Sequence, residues 1–244
     1  MTNTSIRLDK YLADMGIGTR SEVKSYLKKG LVTVNQKSVR DPGLKIVLGK
    51  DVVCYHHKEL HYTAYEYFML NKPAGVLSAT EDHKQKTVID LITDAQVKDL
   101  FPVGRLDKDT EGLLLITNDG DLAHRLLSPH KHVGKTYYAV IDGLVTDEDI
   151  ALFQKGISLD TDFTTLPAEL VLLHTDPSAG TSEIEVTIYE GKYHQIKRMF
   201  EAVGKKVTYL KRLSMGSLSL DPSLDLGSYR RLSDEELEEI TNMI

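Results

Sequence analysis

From Val103 to Leu122 the chain reads VGRLDKDTEGLLLITNDGDL. At its centre, Leu113-Leu114-Leu115-Ile116 is an apolar run as long as a buried strand, and a strand needs partners on either side. The run closes on Asn118-Asp119-Gly120, three residues that tolerate positive φ and so signal a turn. Ahead of it lies Gly104-Arg105-Leu106-Asp107 and then Lys108, Asp109 and Glu111. A carboxylate such as Asp107, in a loop leaned against a buried strand, is held rigidly without entering the core. Functional carboxylates often occupy such places.

At 244 residues there is room for one large domain or two unequal ones. No apolar stretch approaches the length of a membrane span, and Met1-Thr2-Asn3-Thr4-Ser5 does not lead into a signal-peptide core, so a cytosolic protein is expected. The single cysteine, Cys54, rules out an internal disulfide and fits a reducing compartment. Within Asp51-Val52-Val53-Cys54-Tyr55 it reads as a small buried hydrophobe rather than a nucleophile. The net charge of -6 hides an asymmetry: residues 1–62 carry +5 and the remainder -11. A basic module on an acidic body delegates affinity for a polyanion to the N-terminus.

In that module Leu8, Tyr11, Leu12 and Met15 share one helical face, which Gly16-Ile17-Gly18 ends. Thr19-Arg20-Ser21-Glu22 has the spacing of a capping box, and a second helix follows with Val23, Tyr26 and Leu27 inward and Gly30 past its end. Arg20, Lys24 and Lys28, four apart, line one stripe of it. Such a stripe is either a solvated face or an electrostatic footprint for RNA. Leu31 to Val34 reads as a strand, with a turn at Asn35-Gln36-Lys37. Between Tyr55 and Tyr65 neither periodicity is clear, and His56-His57-Lys58-Glu59-Leu60-His61 is expected to be a polar linker; lacking Cys and holding one carboxylate, it makes a poor metal site.

The remainder alternates strand signals with short helices. Glu66 to Leu70 is strand-like and stops at Asn71-Lys72-Pro73-Ala74-Gly75. Thr87 to Ile92 is a short helix, Asp94 to Leu100 a polar connection, and Asp121 can cap a helix through Leu127. Strands are expected at Lys135–Val140, Ile157–Leu159, Ala168–Leu173, Glu183–Tyr189 and Val207–Leu213. Helices are expected at Ile150–Gln154, from the Lys192-Tyr193-His194-Gln195 stretch to Val203, and, capped by Ser233 and Glu236, at Asp234–Met243.

Arg7-Leu8-Asp9-Lys10-Tyr11-Leu12, the Gly break, Thr19-Arg20-Ser21-Glu22 and Gly30-Leu31-Val32-Thr33-Val34-Asn35 together resemble the S4 RNA-binding domain. Four later segments resemble the pseudouridine synthases, in particular their RsuA-like branch. These are Leu70-Asn71-Lys72-Pro73-Ala74-Gly75, then Gly104-Arg105-Leu106-Asp107 with Thr110, Gly112-Leu113-Leu114 and Asn118-Asp119-Gly120, then Lys135-Thr136-Tyr137, and last Gly191-Lys192-Tyr193-His194-Gln195-Ile196-Lys197 running into Arg198-Met199-Phe200.

The resemblance implies an α+β protein: a small α/β S4-like RNA-binding domain over residues 1–60, then a catalytic domain over 61–244 on a mixed, largely antiparallel sheet. It implies that Asp107 is the catalytic aspartate, acting as nucleophile or base, Tyr137 the aromatic over the reacting base and Lys197 the cation. A lysine within about 4–6 Å would keep the carboxylate ionised. Arg105 matches the residue that fills the space left by a flipped base, while His194, Gln195 and Arg198 join Arg20, Lys24 and Lys28 as RNA contacts. The substrate so implied is 16S ribosomal RNA, in a pre-ribosomal particle, met by a cytoplasmic monomer without membrane, metal or cofactor. The isomerisation needs no redox partner, and neither a P-loop nor a dinucleotide fingerprint is present. Attack on C1′, attack on C6 and deprotonation at C2′ all remain open for Asp107. Large-subunit RNA as substrate and a non-catalytic assembly factor are the alternatives. An aspartyl phosphatase fails because its motif follows its strand, and a two-carboxylate glycosidase using Asp107 and Glu111 leaves the basic module unexplained.

Overall fold

The computed structural model describes residues 5–62, 64–160 and 163–244; the first four of the N-terminal residues read above for a leader, and Thr63 of the expected linker, lie outside them. Two compact units emerge. The first is the chain through Glu66 together with Asp94–Leu100, and the second is Tyr67–Thr93 with Phe101–Ile244.

In the first unit β1 (Ser5–Arg7) leads into α1 (Leu8–Asp14) and α2 (Arg20–Lys28). Thr19 and Glu22 form both halves of the expected capping box. After α2 come β2 (Val32–Val34), β3 (Lys37–Ser38), β4 (Lys45–Val47), β5 (Val53–Tyr55) and β6 (Lys58–Leu60), with sheet orders β3-β2-β5-β6 and β1-β4. Leu8, Tyr11, Leu12, Val23, Leu27, Val32, Val34, Ile46 and Val53 form its core. The expected linker begins instead as a hairpin: His56 and His57, both at positive φ, turn β5 back onto β6. Two-residue turns of that geometry normally advertise themselves with Asn or Gly, and histidine hides the signal. Cys54 is half-buried rather than buried, because Val53 takes the inward position of β5. The expected polar connection at Asp94–Leu100 is pinned to this unit where the Glu66 carboxylate accepts the Gln96 and Val97 amides at 2.7 and 2.8 Å.

The second unit contains β7 (Tyr67–Lys72), β8 (Phe101–Pro102), β9 (Glu111–Thr117), α3 (Gly120–Leu127), β10 (Lys135–Asp142), α4 (Asp147–Lys155), β11 (Ser158–Asp160), β12 (Phe163–Thr164), β13 (Glu169–Asp176), β14 (Thr181–Ile188), α5 (Gln195–Ala202), β15 (Lys206–Met215), β16 (Leu218–Ser219), β17 (Tyr229–Arg231) and α6 (Asp234–Asn242). Its main sheet runs β13-β14-β10-β15-β9-β7-β17, with β16 on β15 and β8 on β9. The β9–β15 pair is parallel and the other pairings of this sheet are antiparallel, so the sheet is mixed and largely antiparallel as expected. The Leu113–Ile116 run lies in β9, buried on both faces, which is why its sequence shows no alternation. Leu113 and Leu115 pack with Leu122, Leu126 and Ile240 from α3 and α6. The turn after β9 is built differently from the expectation: Asp119 takes an extended φ and its carboxylate accepts the Leu122 amide. The helix therefore starts at Gly120 with Asp119, not Asp121, as its cap.

The parallel β9–β15 pairing sets the site. Gly112 sits at φ +98°, and a Cβ there would lie 2.2 Å from the Arg212 carbonyl oxygen. Only glycine lets the two backbones meet so closely. Their contact hangs the loop before β9 over the face of β10 and β15.

Candidate active site

The loop Gly104–Thr110 joins β8 to β9 and carries Asp107. Lys72, fully buried at the end of β7, holds the loop from beneath: its ammonium donates to the carbonyls of Pro73, Asp107, Lys108 and Thr110 at 2.9–3.3 Å. Burial pushes the Lys72 ammonium down to about 8, against the pull of Asp109, Glu111 and Asp107. The Ser78 hydroxyl donates to the Leu106 carbonyl at 2.8 Å, and the Gly75 amide to that of Lys108 at 2.8 Å. Asp107 is thus mounted on a backbone held at the carbonyls of Leu106, Asp107, Lys108 and Thr110.

Its carboxylate meets α5. Lys197 Nζ lies 3.1 Å from Asp107 Oδ2 and also contacts both Asp109 oxygens, at 2.7 and 2.9 Å. Burial lowers the Lys197 ammonium, but the bonds to Asp109 and Asp107 outweigh it and hold the group above the usual lysine value. The same bond from Lys197 lowers Asp109. His194 caps α5 in the left-handed region at φ 49°, which brings its Nε2 to 3.6 Å from Asp107 Oδ1. The exposed Tyr193 ring stacks on the His194 imidazole at 3.8 Å.

A cleft of about 640 Å³, counting the part open to solvent, runs between these elements. Asp107, Arg105 and Thr110 line one side, Lys192, His194 and Lys197 the other, and Lys135, Tyr137 and Arg212 the floor.

The sequence-derived site is therefore largely brought together. Asp107, Tyr137, Lys197, Arg105 and His194 share the cleft. Gln195 borders it too, but is buried, with its amide donating to Glu190 and accepting from the Lys192 backbone. It braces the loop before α5 instead of offering a free contact. Arg198, half-buried, is not among the lining residues. Arg20, Lys24 and Lys28 belong to the first unit, where all three are exposed along α2.

Four residues carried no assigned role in the sequence reading. Lys72 looked like part of a turn. Lys135 and Arg212 lie in expected strands without a role of their own, although Lys135 keeps phase with Tyr137 on the buried face of β10, a signal the alternation contains. Asp109, one of the loop charges after Asp107, is the second carboxylate of the Lys197 pair.

Comparison with known proteins gives the family. Residues 66–202 match the family described as RNA pseudouridylate synthase, and residues 6–53 match the S4 domain. A Bacillus subtilis protein named uncharacterized RNA pseudouridine synthase YtzG is 48% identical, the match covering 95% of this chain and 97% of that one. The ribosomal small subunit pseudouridine synthase A of Vibrio vulnificus is 39% identical over 96% of this chain and 99% of its own. The ribosomal large subunit pseudouridine synthase B of Bacillus subtilis is 38% identical over 96% and 95%. A crystal structure of a pseudouridylate synthase superposes with a TM-score of 0.67 at 35% identity, covering 96% of this chain and 99% of that one.

An enzyme that rearranges uridine in RNA is the class that this fold and cleft define. The chain belongs to the RNA pseudouridylate synthase family, in its S4-bearing, RsuA-type branch.

Proposed function

We propose that this enzyme converts a uridine of small-subunit (16S) ribosomal RNA to pseudouridine in the cytoplasm, acting as a monomer on a pre-ribosomal particle. RNA binding is assigned to residues 1–60 and catalysis to residues 61–244. The observation that carries the reading is the approach of Lys197 to Asp107, 3.1 Å apart, in a cleft that Tyr137 also lines.

The reaction breaks the bond from ribose C1′ to uracil N1, turns the base, and joins C5 to C1′; C5 gives up a proton and N1 gains one. Asp107 acts as nucleophile or base, with the Lys197 ammonium 3.1 Å away as its counter-charge. Tyr137 gives the base an apolar wall, and Arg105, exposed at the mouth of the cleft, takes the place of the flipped nucleotide in the helix. The stripe of Arg20, Lys24 and Lys28 contacts the phosphate backbone.

Relatives named as small-subunit synthases, at 36–39% identity, support the choice of RNA. The large-subunit relative at 38% favours a second reading, large-subunit RNA. Purified protein is to be incubated with each RNA, naked and in assembling particles, and pseudouridine mapped by carbodiimide primer extension. One new site in small-subunit RNA is expected. A site confined to large-subunit RNA supports the second reading, and no site in either overturns both.

A further inference from the structure

Lys135 on β10 and Arg212 on β15 stand on adjoining strands at the floor of the cleft, where Tyr137 and Arg212 are register partners. Both are buried, 7% and 3% exposed. Two cations side by side in a protein interior are costly unless something negative answers them. The neighbouring acids are engaged elsewhere: Asp107 and Asp109 with Lys197, and Glu111 with the Tyr209 hydroxyl at 2.7 Å. Lys135 donates to the Val133 carbonyl and Arg212 Nε to that of Leu113. Among the described residues Arg212 Nη2 has no hydrogen-bond partner, nor has the hydroxyl of Thr110, which lines the same cleft. Burial, reinforced by the guanidinium beside it, lowers the Lys135 ammonium to about 8, so it is still charged at neutral pH.

We propose that Lys135 and Arg212 are catalytic residues that bind the carbonyl oxygens of the flipped uracil and hold the negative charge that builds on its ring during the rearrangement. The assignment rests on the pseudouridylation reading above, but not on its choice of RNA or of first step. If Asp107 displaces the base at C1′, or a C2′ proton is removed and the base expelled, the electron pair of the C1′–N1 bond leaves with uracil and spreads over N1, O2 and O4. If Asp107 adds at C6, the pair of the C5–C6 bond moves onto C5 and O4. Each route loads the ring oxygens, and the charge is discharged when C5 bonds to C1′ and loses its proton and N1 is protonated; Asp107 leaves C1′ or C6 as the free carboxylate, or, on the elimination route, C2′ regains its proton. Fixed cations aimed at developing charge need no reorganisation at that moment.

Single-turnover pseudouridylation, RNA affinity and thermal melting are to be measured for K135M, K135R and the unaltered enzyme. K135M is expected to lose about 10²–10³-fold in rate while RNA affinity is retained. Its melting temperature should stay close to that of the unaltered enzyme, because removal of a buried uncompensated charge offsets the Val133 carbonyl's loss of its donor. K135R, which keeps the charge, should recover part of the rate. A K135M enzyme that turns over normally, or whose rate and melting temperature fall together, overturns the proposal. A second measurement needs no variant and no turnover, so it separates this assignment from the wider functional reading. Barbiturate, a pyrimidine that is anionic at neutral pH, should bind the unaltered enzyme more tightly than neutral uracil by calorimetry. Equal binding, or none of barbiturate, also overturns it.

Discussion

Replacing Lys72 with Met keeps the volume of the side chain and removes its four hydrogen bonds. The carbonyls of Asp107 and Lys108 retain the amides of Thr110 and Gly75 as donors, whereas those of Pro73 and Thr110 have Lys72 as their partner. Each buried acceptor left unpaired costs about 1–3 kcal/mol, which gives about 2–6 kcal/mol in all. Relief from holding an ammonium away from water offsets part of this, and a net loss of about 3 kcal/mol is expected. The effect on chemistry should be larger than stability alone explains. The lost bonds include one to the backbone of Asp107 itself, and a displacement of about 1 Å at a reacting group costs about 10²-fold in rate. Urea unfolding followed by circular dichroism reads the first quantity. Release of tritium from C5-labelled uridine RNA under single-turnover conditions reads the second. A K72M enzyme within about 1 kcal/mol of the unaltered stability, and within about threefold of its rate, would show that the loop does not depend on this clamp.

Burial lowers both Lys72 and Lys135 to about 8 in the folded chain. Unfolded lysine releases its proton only near pH 10.4, so between these values the unfolded state binds more protons; stability should rise from pH 8 toward 10 by about 2 kcal/mol per lysine in urea titrations. Above that range the gain should reverse, since burial raises Tyr62 and Tyr209 and their phenols ionise first in the unfolded chain. Gly112→Ala should destabilise by about 2–4 kcal/mol, because its Cβ meets the Arg212 carbonyl at a φ that alanine avoids. Replacing Arg20, Lys24 and Lys28 together with Ala should weaken RNA binding and flatten its log–log salt dependence by about 2–3, leaving turnover at saturating RNA unchanged.

What could be read from the amino-acid order was whatever depends on neighbours along the chain. The capping boxes at Thr19–Glu22 and Ser233–Glu236 formed as spaced, and Ile184, Val186 and Ile188 alternate inward along β14. Motif resemblance then brought Asp107, Tyr137 and Lys197 to one cleft from three distant segments. Features that depend on the third dimension stayed hidden. A lysine after an apolar strand looks like a solvated turn until the loop it clamps folds over it, as at Lys72. Arg212, a charge within an expected strand, shows its burial only once β9 and β15 meet at Gly112. His56-His57 adopts a turn on which its residue type is silent, and the cap falls on Asp119 rather than the expected Asp121 because β9 runs only to Thr117.

The pairing of Asp107 with Lys197 inside the cleft is the claim on which the rest stands. Asp107→Asn, nearly isosteric and uncharged, should release no tritium from C5-labelled ribosomal RNA in a single turnover while binding that RNA as tightly as the unaltered enzyme. Release at a comparable rate would show that the chemistry is carried elsewhere.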